Sequence, residues 1–391
     1  MKTMILVIAL TATLPFAVFS LHGECRYFWM VRDALETPET IDAMLYRAAE
    51  AGANGVVVQV CGRGRAYFDS QILPPAPHRE GFDPLSYTIS KARPLGLEVH
   101  AWVNAFLVWS SPQPPSDSSH VWHLHPEWFM TDRYGRSTRD YTRAECEQNG
   151  LVGATLSPAL PGVRAFVAAI CSEVAENYNV DGIHLDYIRY PNPSFGYEKA
   201  SIGAFYLSTG MDPLDMFRRH GGSDSLSRAW SEWKKTMVTR TVETVRSVLR
   251  SRSPGVQLSC AVMADSQSAA SHYSCDWRQW LKDDLVDFVC TMAYTDNPAR
   301  AVELALETTE VRPGKVVHGI GIYNQPIGNA LIGAASALEN GSGGVCMFSI
   351  NSLSDDSVHI VREFWSGSAE CEHSLETAVI HRLSTGTKAN Q

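Results

Sequence analysis

The run Asp181-Gly182-Ile183-His184-Leu185-Asp186-Tyr187-Ile188-Arg189-Tyr190-Pro191 gathers carboxylates, an imidazole, a guanidinium and phenols in one short stretch. Its first half is apolar and β-forming, so successive side chains alternate between two faces. Ile183 and Leu185 then face one way, and His184 and Asp186 face the other. A carboxylate can attack an electrophilic carbon, take up a proton or deliver one, and burying it beside Arg, Tyr and His is costly unless it serves a purpose. Asp181, at the opposite end of the run, reads as a turn or capping residue. The structural alternative for Asp186 is a brace that holds Arg189 or Arg32.

A second run, Glu98-Val99-His100-Ala101-Trp102-Val103-Asn104, alternates in the same way and puts His100, Trp102 and Asn104 on one face. An amide at its far end can bridge two hydroxyl groups. Trp102 or Trp109 can offer an apolar platform to a ring. Two more acids, Asp265 and Asp296, follow later apolar runs and are candidate partners for Asp186.

The elements that must position these residues are apolar runs of the kind that form buried parallel strands. Eight are expected, at 27–32, 55–61, 98–104, 182–188, 257–263, 287–294, 316–323 and 344–350. Helical segments fill the gaps: Thr37-Pro38-Glu39 and Asp83-Pro84 are helix starts, and amphipathic stretches cover 161–178 and 230–250. Repeated strand and helix alternation means a parallel sheet, and eight repeats favour closure into a (β/α)8 TIM barrel with the carboxylates at the C-terminal ends of its strands. The open alternative would bind a dinucleotide through G-x-G-x-x-G. Gly62-Arg63-Gly64 lacks the third glycine, so that reading fails. Long connections at 66–82, 107–160 and 191–226 leave the C-terminal ends of strands and would form loops over the active face.

Composition bounds the rest. With 45% hydrophobic and 19% charged residues in 391, the chain can bury a large core. The net charge of −9 argues against nucleic acid or an anionic membrane surface as partner, and on its own favours a neutral or cationic substrate. Residues 1–23 have the charged start, short apolar core and small residues of a signal peptide, so an exported protein, periplasmic or extracellular, is expected. No later segment is apolar enough to span a bilayer. The barrel would occupy 24–367, and 368–391 would form a weakly ordered tail. Nine cysteines lack Cys-x-x-Cys or metal-site spacing; Cys61, Cys260, Cys290 and Cys346 lie in strand-like runs and read as buried thiols. No metal and no cofactor are expected.

Across nearly the whole chain after the export segment, the sequence resembles the glycosyl-hydrolase-like family ten, a group of exported barrel proteins. The resemblance is carried by Val58-Gln59-Val60 with Arg63-Gly64, by His100 to Asn104, and by His125-Pro126-Glu127-Trp128. It continues through Leu156-Ser157-Pro158 with Gly162-Val163-Arg164, Asp181 to Asp186, and Met292-Ala293-Tyr294. It implies hydrolysis of O-glycosidic bonds in a polysaccharide or peptidoglycan-type glycan. Asp186 becomes the central carboxylate, with Arg63, Asn104 and His184 as neighbours. Asp186 with Asp296 or Asp265 would form the acid pair that flanks a scissile bond. Arg32, Arg63, Trp102, Asn104, His184, Arg189 and Tyr294 would bind the sugar. Many relatives carry a second acid directly after the position of Asp186, where this chain has Tyr187. A glycan-binding barrel without catalysis is therefore the competing reading.

Overall fold

The computed structural model describes residues 25–77, 81–218 and 224–367. The expected export segment, 1–23, and the tail, 368–391, lie outside the described residues. Eight parallel strands run β1 Cys25–Met30, β2 Gly55–Gly62, β3 Glu98–Asn104, β4 Gly182–Asp186, β5 Gln257–Met263, β6 Phe288–Met292, β7 Val316–Gly321 and β8 Gly344–Phe348. Each pairs with its sequence neighbours, and β1 pairs with both β2 and β8, which closes the sheet. This is a (β/α)8 TIM barrel.

Helices α1 Pro38–Glu50, α2 Pro84–Ala92, α3 Pro161–Asn177, α4 Asp224–Arg252, α5 Trp277–Lys282, α6 Pro298–Thr309, α7 Ile327–Glu339 and α8 Asp355–Ser366 follow the strands in turn. Their starts are chemical. Thr37 and Asp83 accept hydrogen bonds from Thr40 and Ser86 N–H, each ahead of a first-turn proline. Such a cap contributes about 1 kcal/mol. Five strands, β1, β4, β6, β7 and β8, end two residues sooner than their apolar runs suggest; β4 stops at Asp186 because Tyr187 turns the chain with a φ of 51°.

Alternation along the strands makes two separate cores. Outward residues such as Val56, Val58, Val60, Ile183 and Leu185 join the helices in one continuous cluster. Inward residues Tyr27, Trp29, Val57, Trp102, Phe288, Cys290, Val317 and Cys346 fill the barrel itself. Cys61, Cys260, Cys290 and Cys346 are buried free thiols, as small core residues. Two of the long connections fold over the C-terminal face. In the first, Leu107–Trp109 pairs antiparallel with Ala154–Thr155; the second carries the helix Lys199–Thr209.

Candidate active site

The C-terminal ends of the strands open into a cleft of about 220 Å³, with Asp186 in its lining. Register sets the floor. Asn104 and Asp186 lie side by side at the ends of β3 and β4, and the Asp186 carbonyl accepts from Ala105 N–H at 2.7 Å. Trp102 Nε1 donates to Asn104 Oδ1 at 2.9 Å, and Gln59 Nε2 donates to the same oxygen at 3.4 Å. Arg32 Nη1 then donates to Gln59 Oε1 at 3.2 Å. The amide of Asn104 is thus held in one orientation by β2 and β3.

Five aromatic rings line the cleft: Trp29 from β1, Trp102 from β3, Tyr187 directly after β4, Tyr294 after β6 and Phe348 from β8. Trp29 meets Tyr294 edge-on at 6.1 Å and Phe348 at 5.9 Å. Its indole reaches across the barrel to β7, where a Cβ on Gly319 would come within 2.7 Å of Trp29 Cη2, so only glycine leaves the ring its place. Below it sits His184. Trp29 Nε1 donates to His184 Nε2 at 3.4 Å, and His184 Nδ1 pairs with Ser259 Oγ at 2.9 Å. Burial, reinforced by His100, pushes the His184 imidazolium down to about 3, so the ring is neutral and works as an acceptor for the wall.

Asp186 is 7% exposed. Its Oδ1 accepts from Tyr187 N–H at 2.6 Å and from Arg189 Nη1 at 3.5 Å. Burial pushes its carboxyl above the ordinary aspartate range, opposed by the Arg189 charge, the Tyr187 N–H and the Trp102 indole. Arg189 also lies 4.7 Å over the Tyr187 ring, a cation–π contact that holds both side chains at the rim. Tyr187 is driven up to about 12, first by burial and then by the Asp186 charge, and keeps its proton.

Two residues of this lining, Arg63 and Tyr187, have left-handed φ values of 54° and 51°. Such a conformation costs a non-glycine residue on the order of 1–3 kcal/mol and persists only where surrounding contacts impose it. At Tyr187 it aims the N–H at the carboxylate. At Arg63 the carbonyl is held by His120 Nε2 at 2.9 Å, and the guanidinium reaches Ser110 Oγ at 3.2 Å.

Of the residues picked out in the sequence, Arg32, Arg63, Trp102, Asn104, Asp186, Arg189 and Tyr294 converge on this cleft. Four, His184, Asp265, Asp296 and Trp109, do not line it. His184 is wholly buried one layer down, so it supports Trp29 rather than facing the opening. Asp265 is an exposed helix cap that accepts from Ser268 N–H at 2.8 Å and lies 3.9 Å from Arg300. Asp296 is exposed in the loop beyond Tyr294. Trp109 packs against His120 and donates to Gln113 O, so Trp102 is the tryptophan of that pair at the cleft. Sequence reasoning missed Trp29, Gln59 and Phe348. Each faces inward near the end of its strand, which strand alternation applied to β1, β2 and β8 would have exposed. Glu198 is the other described carboxylate raised by burial; hydrogen bonds from Thr131 N–H, Ser157 and Ser201 occupy it away from the cleft.

A closed (β/α)8 barrel with an aromatic-walled carboxylate cleft at the C-terminal ends of its strands defines an architecture used by many glycosidases. Residues 25–335 match the glycosyl hydrolase-like 10 family, and the chain belongs to it. It is 23% identical over 277 residues to the glycosyl hydrolase DigH of Escherichia coli K12, which covers 62% of this chain and 55% of that protein. It is 21% identical over 267 residues to the glycosyl hydrolase YngK of Bacillus subtilis, covering 62% of this chain and 46% of that one. The matched region is thus about half the length of these relatives. In structure it is similar to the PgaB (BpsB) glycoside hydrolase domain of Bordetella bronchiseptica, with a TM-score of 0.68, 14% identity, and coverage of 87% of this chain and 98% of that domain. It is also similar to the beta-galactosidase of Rahnella sp. R3, with a TM-score of 0.59, 17% identity, and coverage of 88% and 55%. At these identities the two structures speak to the fold.

Proposed function

We propose that the protein hydrolyses O-glycosidic bonds of a polysaccharide or peptidoglycan-type glycan in the cleft around Asp186. The observation that carries this reading is a buried, underpaired carboxylate on the floor of an aromatic-walled opening, beside an oriented amide. Trp102, Trp29 and Tyr294 give apolar faces to a sugar ring, and Asn104 presents its amide to hydroxyl groups. Asp186 acts on the anomeric centre as nucleophile or base, through its negative charge. Its partner is Asp296, whose loop continues from the cleft residue Tyr294. Asp265 suits that role less, because a helix N-terminus and Arg300 already engage it.

One observation favours a second reading. Among the described residues lining the cleft, Asp186 is the sole carboxylate, and hydrolysis by an acid pair needs two. The competing function is glycan binding without turnover. The deciding experiment incubates the full chain, Asp186→Asn and Asp296→Asn with peptidoglycan strands, chitin oligomers and plant or algal glycans, with mass spectrometry of the products. Cleavage lost in both variants supports the pair. Loss in Asp186→Asn alone leaves one protein carboxylate in charge, and binding without cleavage by the unaltered protein establishes the second reading.

A further inference from the structure

The cleft is positively charged inside a negatively charged protein. Its lining holds three arginines, Arg32, Arg63 and Arg189, against the one carboxylate of Asp186, while the chain as a whole carries −9. One guanidinium would suffice to neutralise Asp186, and Arg189 is the one beside it, at 3.5 Å. Arg32 is engaged with the neutral amide of Gln59, and the nearest acid, Asp33, is 3.7 Å from its Nε and largely open to water, where screening weakens the pair. Arg63 is exposed and donates through Nε to the hydroxyl of Ser110. Among the described residues no carboxylate pairs with Arg63, and its side chain donates through Nε alone. Arginine presents a planar fork of donors suited to two oxygens of an anion, and it keeps its charge at any working pH.

We propose, building on the glycan reading above, that the cleft selects a sugar bearing an anionic substituent, a carboxylate or a sulfate ester, held by Arg63 and Arg32, the two lining arginines that do not pair with Asp186. The whole-chain charge, which taken alone favours neutral or cationic ligands, is overridden locally because charges beyond roughly 10 Å are screened at ordinary salt whereas cleft residues are not. An anionic group there would also offset the surplus positive charge next to Asp186. The substrate, rather than a protein carboxylate, then balances the site.

The test measures binding of matched oligosaccharide pairs to the full-length protein and to Asp186→Asn, which separates binding from turnover. Hexuronate oligomers are compared with the same oligomers after reduction of their carboxyl groups, and sulfated hexose oligomers with their desulfated forms. At about 50 mM salt the anionic member of at least one pair should bind about tenfold or more tightly. That advantage should shrink at about 300 mM salt. It should collapse in Arg63→Gln and be partly restored in Arg63→Lys, with thermal melting confirming that each variant is folded. Preference for the uronate pair identifies a carboxylate, and preference for the sulfated pair a sulfate ester. Equal or tighter binding of the neutral members, or a ratio unmoved by Arg63→Gln, overturns the proposal while leaving glycan recognition intact. If no oligosaccharide of either charge binds, this inference fails, and the glycan reading fails with it only when peptidoglycan strands, chitin oligomers and plant or algal glycans also go unbound on the same preparation.

Discussion

The two ends of the barrel treat their carboxylates in opposite ways. At the N-terminal end, Asp181 is 2.8 Å from Arg93 Nη1 and accepts from Val99 N–H at 2.7 Å, while Asp287 takes both ends of the Arg246 fork at 2.7 and 2.9 Å and accepts from Leu258 N–H. Burial alone would raise the Asp287 carboxyl, but the Arg246 fork and the Leu258 N–H outweigh it and hold the group below the usual range. At the C-terminal end, Asp186 is more deeply buried and has poorer partners, and its carboxyl is raised. The lower acids lock neighbouring strands together. The upper one sits where burial makes ionisation costly and its partners offset that only in part, which is the signature expected of a group used in chemistry.

The sharpest way to break that comparison is to replace the acids one at a time. Asp186→Asn should reduce glycan cleavage by several powers of ten while the protein still folds and binds, because the amide keeps the shape and removes the charge. Its stability should also move with pH in a particular sense. A carboxyl whose folded pKa lies above its ordinary 3.8 takes up protons on folding, so it lowers stability as pH rises through that window. Asp186→Asn should therefore melt no lower than the unaltered protein at pH 7, and the difference between them should fade on acidification below 3.8. If Asp186 were a brace, the same substitution would instead lower stability by about 3–5 kcal/mol at neutral pH and spare turnover per folded molecule.

Asp287→Asn should show the reverse profile. Losing the fork to Arg246 should cost about 1–3 kcal/mol at neutral pH, with turnover retained. Because this carboxyl is depressed in the folded protein, the advantage of the unaltered protein should be complete above the ordinary 3.8 and disappear as pH falls through the lowered value. Paired denaturant titrations across pH read both signs.

Smaller effects sharpen the boundary of the cleft. Asn104→Ala should weaken oligosaccharide binding roughly tenfold, and by freeing the Trp102 indole N–H it should cost about 1 kcal/mol of stability. Calorimetric affinity and melting temperature, taken on one preparation, measure the two parts; unchanged affinity would remove Asn104 from the binding surface. Asp265→Ala should cost only about 1 kcal/mol, the value of a helix cap, and leave cleavage as it was. A loss of turnover there would return Asp265 to the pair.

Much of this arrangement is written locally. Buried parallel strands must be apolar on both faces, so the eight runs are visible in the chain, and a period of two then places Asp186, Asn104 and Trp102 on the inner face. Eight such repeats favour closure of the sheet, and the connections over the opening are recognisable by their length. What alternation cannot supply is depth and partnership across distant strands. His184 and Asp186 share a face and differ by one layer, which is enough to make one a support for Trp29 and the other a cleft residue. Asp265 and Asp296 both follow a strand end, yet capping a helix or standing in water depends on where the next turn begins. Trp29, Gln59 and Phe348 come from strands whose sequences carry no acid, and they reach the site because β1 closes against both β2 and β8. The chain by itself thus determined which residues face inward. Only the closed barrel decided which of them meet water, because burial and charge pairing are properties of neighbours brought together from opposite ends of the sequence.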